Sequence, residues 1–231
     1  MKELLLMLAD IWMIFVGFFY GWKLIRRYGN YLLGLEWFII AVSGSNFLVW
    51  SVLGGDEGSP MYSIAYFLDA FTRSVGVSLI LIMGLMRVTH RYKPTLAVDI
   101  GVFALGIVAA LYLRQFHGHG LHVVSATFYV VVNAVSTAFL AYLSWRLWKI
   151  RAGGLAIGAA LATAAATAIA VMYDFFPIPG DDEYGTVFYI FALTTWGTQL
   201  FVYFLSYRAL HDHNVATGAE PASDERSVAR A

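Results

Sequence analysis

The stretch Met61–Met86, MYSIAYFLDAFTRSVGVSLILIMGLM, decides how the whole chain is read. Its 26 residues carry only two charges, Asp69 and Arg73, and the basic residue Arg87 follows directly. A hydrocarbon layer of about 30 Å takes roughly 20 apolar residues in helical form, so the stretch is long enough to cross a bilayer. Six others of the same kind flank it, at approximately 4–22, 31–53, 95–113, 121–145, 154–176 and 185–207. The links between them are short. The 231 residues are 60% hydrophobic and 13% charged, far from the composition of a water-soluble domain. Runs this continuous do not fit barrel strands, and a helix satisfies every backbone amide within its own segment. The expectation is an all-α, polytopic membrane protein: one seven-transmembrane-helix bundle over 1–210. A disordered tail, rich in Ala, Ser, Glu and Arg, is expected over 211–231.

Basic residues fix an expected orientation. Lys23, Arg26, Arg27, Arg87, Arg91, Lys93, Arg146, Lys149, Arg151, Arg208, Arg226 and Arg230 fall on one side, and only Lys2 and Arg114 on the other. Lys and Arg mark the cytoplasmic side, which places the N-terminus outside and the C-terminus inside a plasma membrane or bacterial inner membrane. The opposite links are acidic instead, with Asp56, Glu57, Asp181, Asp182 and Glu183. Trp22, Tyr28, Trp145 and Trp148 suit one interface, and Trp50, Tyr62, Tyr173 and Tyr184 the other. The first apolar run does not read as a cleaved signal peptide. Glu3 offsets Lys2, Asp10 interrupts the run, and Trp12, Phe15, Phe18 and Phe19 are bulky where a cleavage site needs small residues. The chain has no cysteine, which removes disulfides, thiolate metal sites and cysteine nucleophiles. Net charge is zero with no long basic block, so nucleic acid is not an expected partner, and the lipid bilayer is.

Charge inside the hydrocarbon costs at least about 2.5–3.5 kcal/mol, so such residues face the bundle interior or water. Asp69 and Arg73 are four apart, hence on one helical face and able to pair. At 1.5 Å per residue Asp69 lies about 12 Å and Arg73 about 18 Å below the end of its span. Asn46 at about 11 Å, Asn133 at about 18 Å and Thr195 at about 15 Å share that depth, with Gln199 one turn beyond Thr195. Together these six residues form the expected ligand site, a polar cavity opening to the outside, with Asp10 and Asp174 nearer its mouth. The competing reading is a structural Asp–Arg pair. Glu36, about 8 Å from the basic end of its span, is expected to pair at the interface with Lys23, Arg26 or Arg27, and Asp99 to behave similarly.

Small residues mark close helix contacts. Gly154, Gly158, Ala162, Ala166 and Ala170 recur every fourth position, which predicts a packed rather than lipid-facing sixth helix. Gly17 and Gly21 make a weaker pair, compatible with packing inside one chain or between two copies. Three landmarks repeat at offsets near 123 residues: Trp22-Lys23-Leu24 with Trp145-Arg146-Leu147, Asp56-Glu57 with Asp182-Glu183, and Arg87/His90 with Arg208/His211. They fit a 3+1+3 parallel repeat, the arrangement in which small transporters place a substrate between two halves.

Other chemistries find little support. His117, His119 and His122 in one link are weak metal candidates, since the glycines between them leave the ligands loosely placed. Histidines are missing from mid-span, which argues against haem. Seven helices match the outline of retinal proteins, but 185–207 contains no lysine for a Schiff base, so covalent retinal is excluded. Neither a zinc-protease helix motif, a serine elbow nor a phosphate-binding loop is present. Length and topology share an outline with the small 3+1+3 sugar and vitamin transporters, without their proline hinges. The leading expectation is a transporter of a small solute. A seven-helix receptor or accessory subunit of a membrane complex comes next, then a membrane enzyme. No cofactor is expected.

Overall fold

The computed structural model describes residues 1–56, 58–116, 121–176, 178–182 and 185–218. Among them the secondary structure is helical throughout, and seven helices are long and apolar enough to cross a membrane. We number them α1 (Lys2–Tyr28), α2 (Tyr31–Val52), α3 (Pro60–Thr89), α4 (Leu96–Leu113, with a tighter turn over Arg114–Phe116), α5 (Val123–Lys149), α6 (Gly153–Phe175) and α7 (Thr186–Ala216). The chain has the build of a multi-pass membrane protein.

Local chemistry sets the helix ends. Gly29, left-handed at φ 58°, stops α1, and the side chain of Asn30 accepts from Leu33 N to start α2. Ser59 caps α3 ahead of Pro60, whose missing N–H costs nothing in the first turn. Asp181 accepts from the N–H groups of Val187 and Phe188, and Asp182 from Thr186, so two carboxylates close the start of α7. Against a desolvation push upward, those N–H groups and that of Asp182 hold the Asp181 carboxyl below its ordinary range.

Six helices close into a ring in the order α1, α2, α3, α5, α6, α7 and back to α1, while α4 packs outside against α3. Gly106 of α4 lets Phe71 of α3 approach, and a Cβ there would stand 2.5 Å from the ring. The rest of α4 exposes Leu96, Ile100, Leu105, Val108 and Leu111, an outer surface suited to lipid. Gly17 and Gly21 pack against Ala41, Trp37 and Gly34 of α2, so this pair serves a contact within the chain.

The sixth helix is not wholly enclosed. Ala156, Ala159, Ala162 and Ala166 are buried, but Ile157 and Leu161 are exposed, as befits a ring member with one outward face. A Cβ added at Gly154 would meet nothing within 4 Å, so the expected stripe begins one turn too early.

The end of the bundle bearing Lys23, Arg87, Arg146 and Arg208 is solid. Leu24, Leu33, Leu85, Val88, Leu143, Leu147 and Leu210 form one core there. Arg87 donates to Gly29 O at 2.6 Å, Asn30 to Gly84 O at 2.9 Å and Asn214 to Val88 O at 2.9 Å, which bolts α1, α2 and α7 onto the end of α3. His211 packs against Tyr28 and Tyr207. The helix therefore continues through Ala216, so residues 211–216, expected in the tail, are helical: His211 and Asn214 are buried against neighbouring helices. Residues 219–231 lie outside the described residues.

Along α3 the hydrogen bonding widens to the i→i+5 pattern over Thr72–Ile80. Thr72, Ser74 and Ser78 each bond back to a carbonyl four residues earlier, at 3.0, 2.6 and 2.6 Å. Hydroxyls competing for helix carbonyls loosen the regular ladder, and wide turns of this kind cluster at functional sites.

Candidate functional site

The ring encloses a cavity of about 990 Å³. Its walls come from α1, α2, α3, α5, α6 and α7, and α4 contributes nothing. It begins among Glu3, Trp50, Gly55 and Thr186 at the N-terminal end of the bundle and descends to Glu36, Ser78, Leu81 and Tyr203. Counted along α2 from Val52, Glu36 is about 24 Å deep. Below that level stands the solid core already described.

Arg73 lies in the wall, held on four sides. Its guanidinium sits between the rings of Tyr129 and Tyr173, at 4.0 and 3.9 Å from their centres. Asp69 Oδ2 accepts from Nη1 at 3.5 Å, and Asp174 of α6 accepts from Nη2. Tyr173 donates to the other oxygen of Asp69 at 3.1 Å. The expected Asp69–Arg73 pair thus exists as part of a larger cluster, with Asp174 closing the ion pair across helices. Two tyrosine faces and two carboxylates offset much of the desolvation of the guanidinium.

The remaining expected site residues divide. Asn133 lines the cavity and its side-chain oxygen accepts from Thr137 at 3.4 Å. Gln199 also lines it, donating to Tyr203 OH at 3.0 Å, and Tyr203 meets Thr163 at 2.7 Å, forming a polar floor. Asn46 instead donates to Met61 O at 2.9 Å, tying α2 to the start of α3, and does not line the cavity. Thr195 is absent from the lining as well; at 3.6 residues per turn it is rotated by about 40° from Gln199.

Glu36 is the main correction. It pairs with none of Lys23, Arg26 or Arg27; it is 1% exposed, lines the cavity, and neither carboxyl oxygen has a hydrogen-bond partner. Its rotation about α2 points it inward, against Gly76 in the widened stretch of α3, where an added Cβ would stand 2.3 Å from Oε1. The basic side chains expected to meet it turn to aromatic rings instead, Lys23 over Phe19 and Arg26 over Trp22. Asp10 repeats the arrangement one helix earlier. It is 1% exposed, unpartnered, and placed so that a Cβ at Gly44 would lie 2.7 Å from Oδ1. The position of Glu36 along α2 is legible in the sequence; its facing is not. The signal available was Gly76, a mid-helix glycine at matching depth. Asp99 sits in the first turn of α4 within the field of Arg87, but its Oδ1 is buried without a hydrogen-bond partner, so the expected pairing is not formed there.

Of the weak metal candidates, His117 and His119 lie outside the described residues, and His122 precedes α5 with its ring edge toward Phe116. Among the described residues no three His, Asp or Glu side chains gather around a common point. Comparison with known proteins finds no matching family model, curated protein or solved structure.

Proposed function

We propose that the chain is a carrier for a small solute, held with its central cavity open toward the N-terminal end and closed at the basic end. The observation that carries this reading is the cavity itself. At about 990 Å³ it has the size of a small-molecule site, it penetrates past the middle of the bundle, and it stops at a floor of hydrogen-bonded side chains above a packed core. The 12-to-2 bias in basic residues makes the open end external and the sealed end cytoplasmic. The ring order supports the parallel repeat: exchanging α1 with α5, α2 with α6 and α3 with α7 maps every ring contact onto another, leaving α4 as the linker. The two halves then supply facing walls, the setting in which rocking of one against the other exposes a site to each side in turn.

The chain is naturally free of cysteine, so single cysteines report access directly. Thr137, in the cavity wall about 21 Å from the start of α5, is the deep reporter. Thr137→Cys is expected to react with a membrane-impermeant maleimide added from the N-terminal side; no labelling from that side would remove the open cavity. Ser206 is fully buried beneath the floor. In a carrier, Ser206→Cys is expected to label from the basic side in a fraction of molecules, whereas a seven-helix receptor keeps that passage shut.

Orientation has its own check. A reporter active only in the cytoplasm is expected to work when fused after Gly218 and to fail when inserted between Gly55 and Pro60. The opposite pattern inverts the bundle.

A further inference from the structure

The cavity wall is acidic in excess. Asp10, Glu36 and Asp69 line it with a single guanidinium, Arg73, which already pairs with Asp69 and Asp174 and lies between Tyr129 and Tyr173. Two carboxylates neutralise the guanidinium and two rings cover its faces, which leaves it little net charge to offer an anionic solute. Glu36 and Asp10 are the reverse case, each about nine-tenths or more buried on the wall with both oxygens unpartnered. A carboxylate in that position is costly until something supplies both counter-charge and N–H or O–H donors. A metal ion needs several oxygen ligands at one point. Glu36 and Gly44, against which Asp10 rests, are eight residues apart on α2, so the two carboxylates stand about 12 Å apart along the helix and do not form such a set.

We propose that the solute is an amphiphilic amine whose ammonium group is received by Glu36 at the base of the cavity, with Asp10 as an earlier station on the same wall. This rests on the carrier reading and names its solute class. The same cavity is lined by Trp37, Phe47, Leu193, Trp196 and Leu200, surfaces that take an apolar or aromatic body, the aromatic rings among them attracting cations to their faces. Three N–H donors of a primary ammonium match the unpartnered oxygens of Glu36. Gly76 keeps the space for that carboxylate, and the widened helical stretch around it puts the glycine there.

The test uses the full-length Thr137→Cys protein in lipid nanodiscs and three probes of one skeleton: 2-phenylethylammonium, 2-phenylethanol and 3-phenylpropanoate. Each is titrated for protection of the cysteine from maleimide. Protection by the ammonium is expected at a concentration at least tenfold lower than for the alcohol, with the carboxylate giving none. Adding Glu36→Gln is expected to bring the ammonium to the level of the alcohol. Best protection by the carboxylate, equal protection by ammonium and alcohol, an ammonium effect untouched by Glu36→Gln, or no protection at all each overturns the proposal. Should Glu36→Gln fail to fold, the three-probe comparison on Thr137→Cys alone still decides. Labelling without any probe separates the two ideas. If it occurs and the probes fail, the cavity stands and the amine does not; if it does not occur, both fall.

Discussion

Replacing Arg73 with methionine is expected to destabilise the bundle by about 3–5 kcal/mol, the usual effect of removing one partner from a buried ion pair. The side chain is only 13% exposed, and its loss leaves Asp69 and Asp174 as two uncompensated carboxylates near each other. From Asp69 and Arg73 alone, the double change Asp69→Asn with Arg73→Met is the natural rescue. The structure assigns that rescue to a triple change. The double variant still strands Asp174 beside Tyr129 and a methionine, so it stays well below the parent. Adding Asp174→Asn removes every charge of the cluster and is expected to return stability close to that of the parent. Unfolding of the purified protein in one fixed detergent measures the series. A double variant as stable as the triple would show that Asp174 is not part of the buried pair.

The residues behind this prediction also show where the sequence was legible and where it was not. Seven helices, their approximate ends and the Asp69–Arg73 pair follow from apolar length, basic flanks and a four-residue spacing, all properties local to one segment. Position along each helix was legible too, since rise per residue is constant, and Asn133 and Gln199 line the cavity. Facing was not. Whether a residue points into the ring depends on helix rotation and on which helices are neighbours, and neither is local. Asn46 therefore ends on a backbone carbonyl of Met61 and Thr195 beside the cavity rather than in it, while Glu36, assigned to the interface, occupies the base. The partners of Arg73 on α5 and α6, Tyr129, Tyr173 and Asp174, were hidden for the same reason. Length of α7 was misjudged because polar residues read as tail: Asn214 is polar, but its amide is spent on Val88 O and holds the helix in place.

Gly17→Val is expected to cost about 3 kcal/mol, at the upper end of the usual range for overpacking a close contact. A Cβ at position 17 would stand 2.7 Å from Ala41 Cβ and 2.8 Å from the carbonyl oxygen of Trp37. The second of these is backbone, so no rotamer change relieves it, and α1 and α2 must separate. Trp37 lines the cavity beside Glu36, so the separation is felt at the site. Ala41→Gly removes the side-chain obstacle and leaves the carbonyl, which makes it a partial rescue only. Gly101→Val serves as the control: on the outer face of α4 an added Cβ meets nothing within 4 Å, and the change is expected to be close to neutral. Unfolding measurements on Gly17→Val, Gly17→Val with Ala41→Gly, and Gly101→Val distinguish this from the other use of a small-residue pair, contact between two copies of the chain. If Gly17→Val lowered oligomerisation while leaving the monomer as stable as Gly101→Val does, the glycine would belong to an intermolecular interface and the α1–α2 crossing would need another cause.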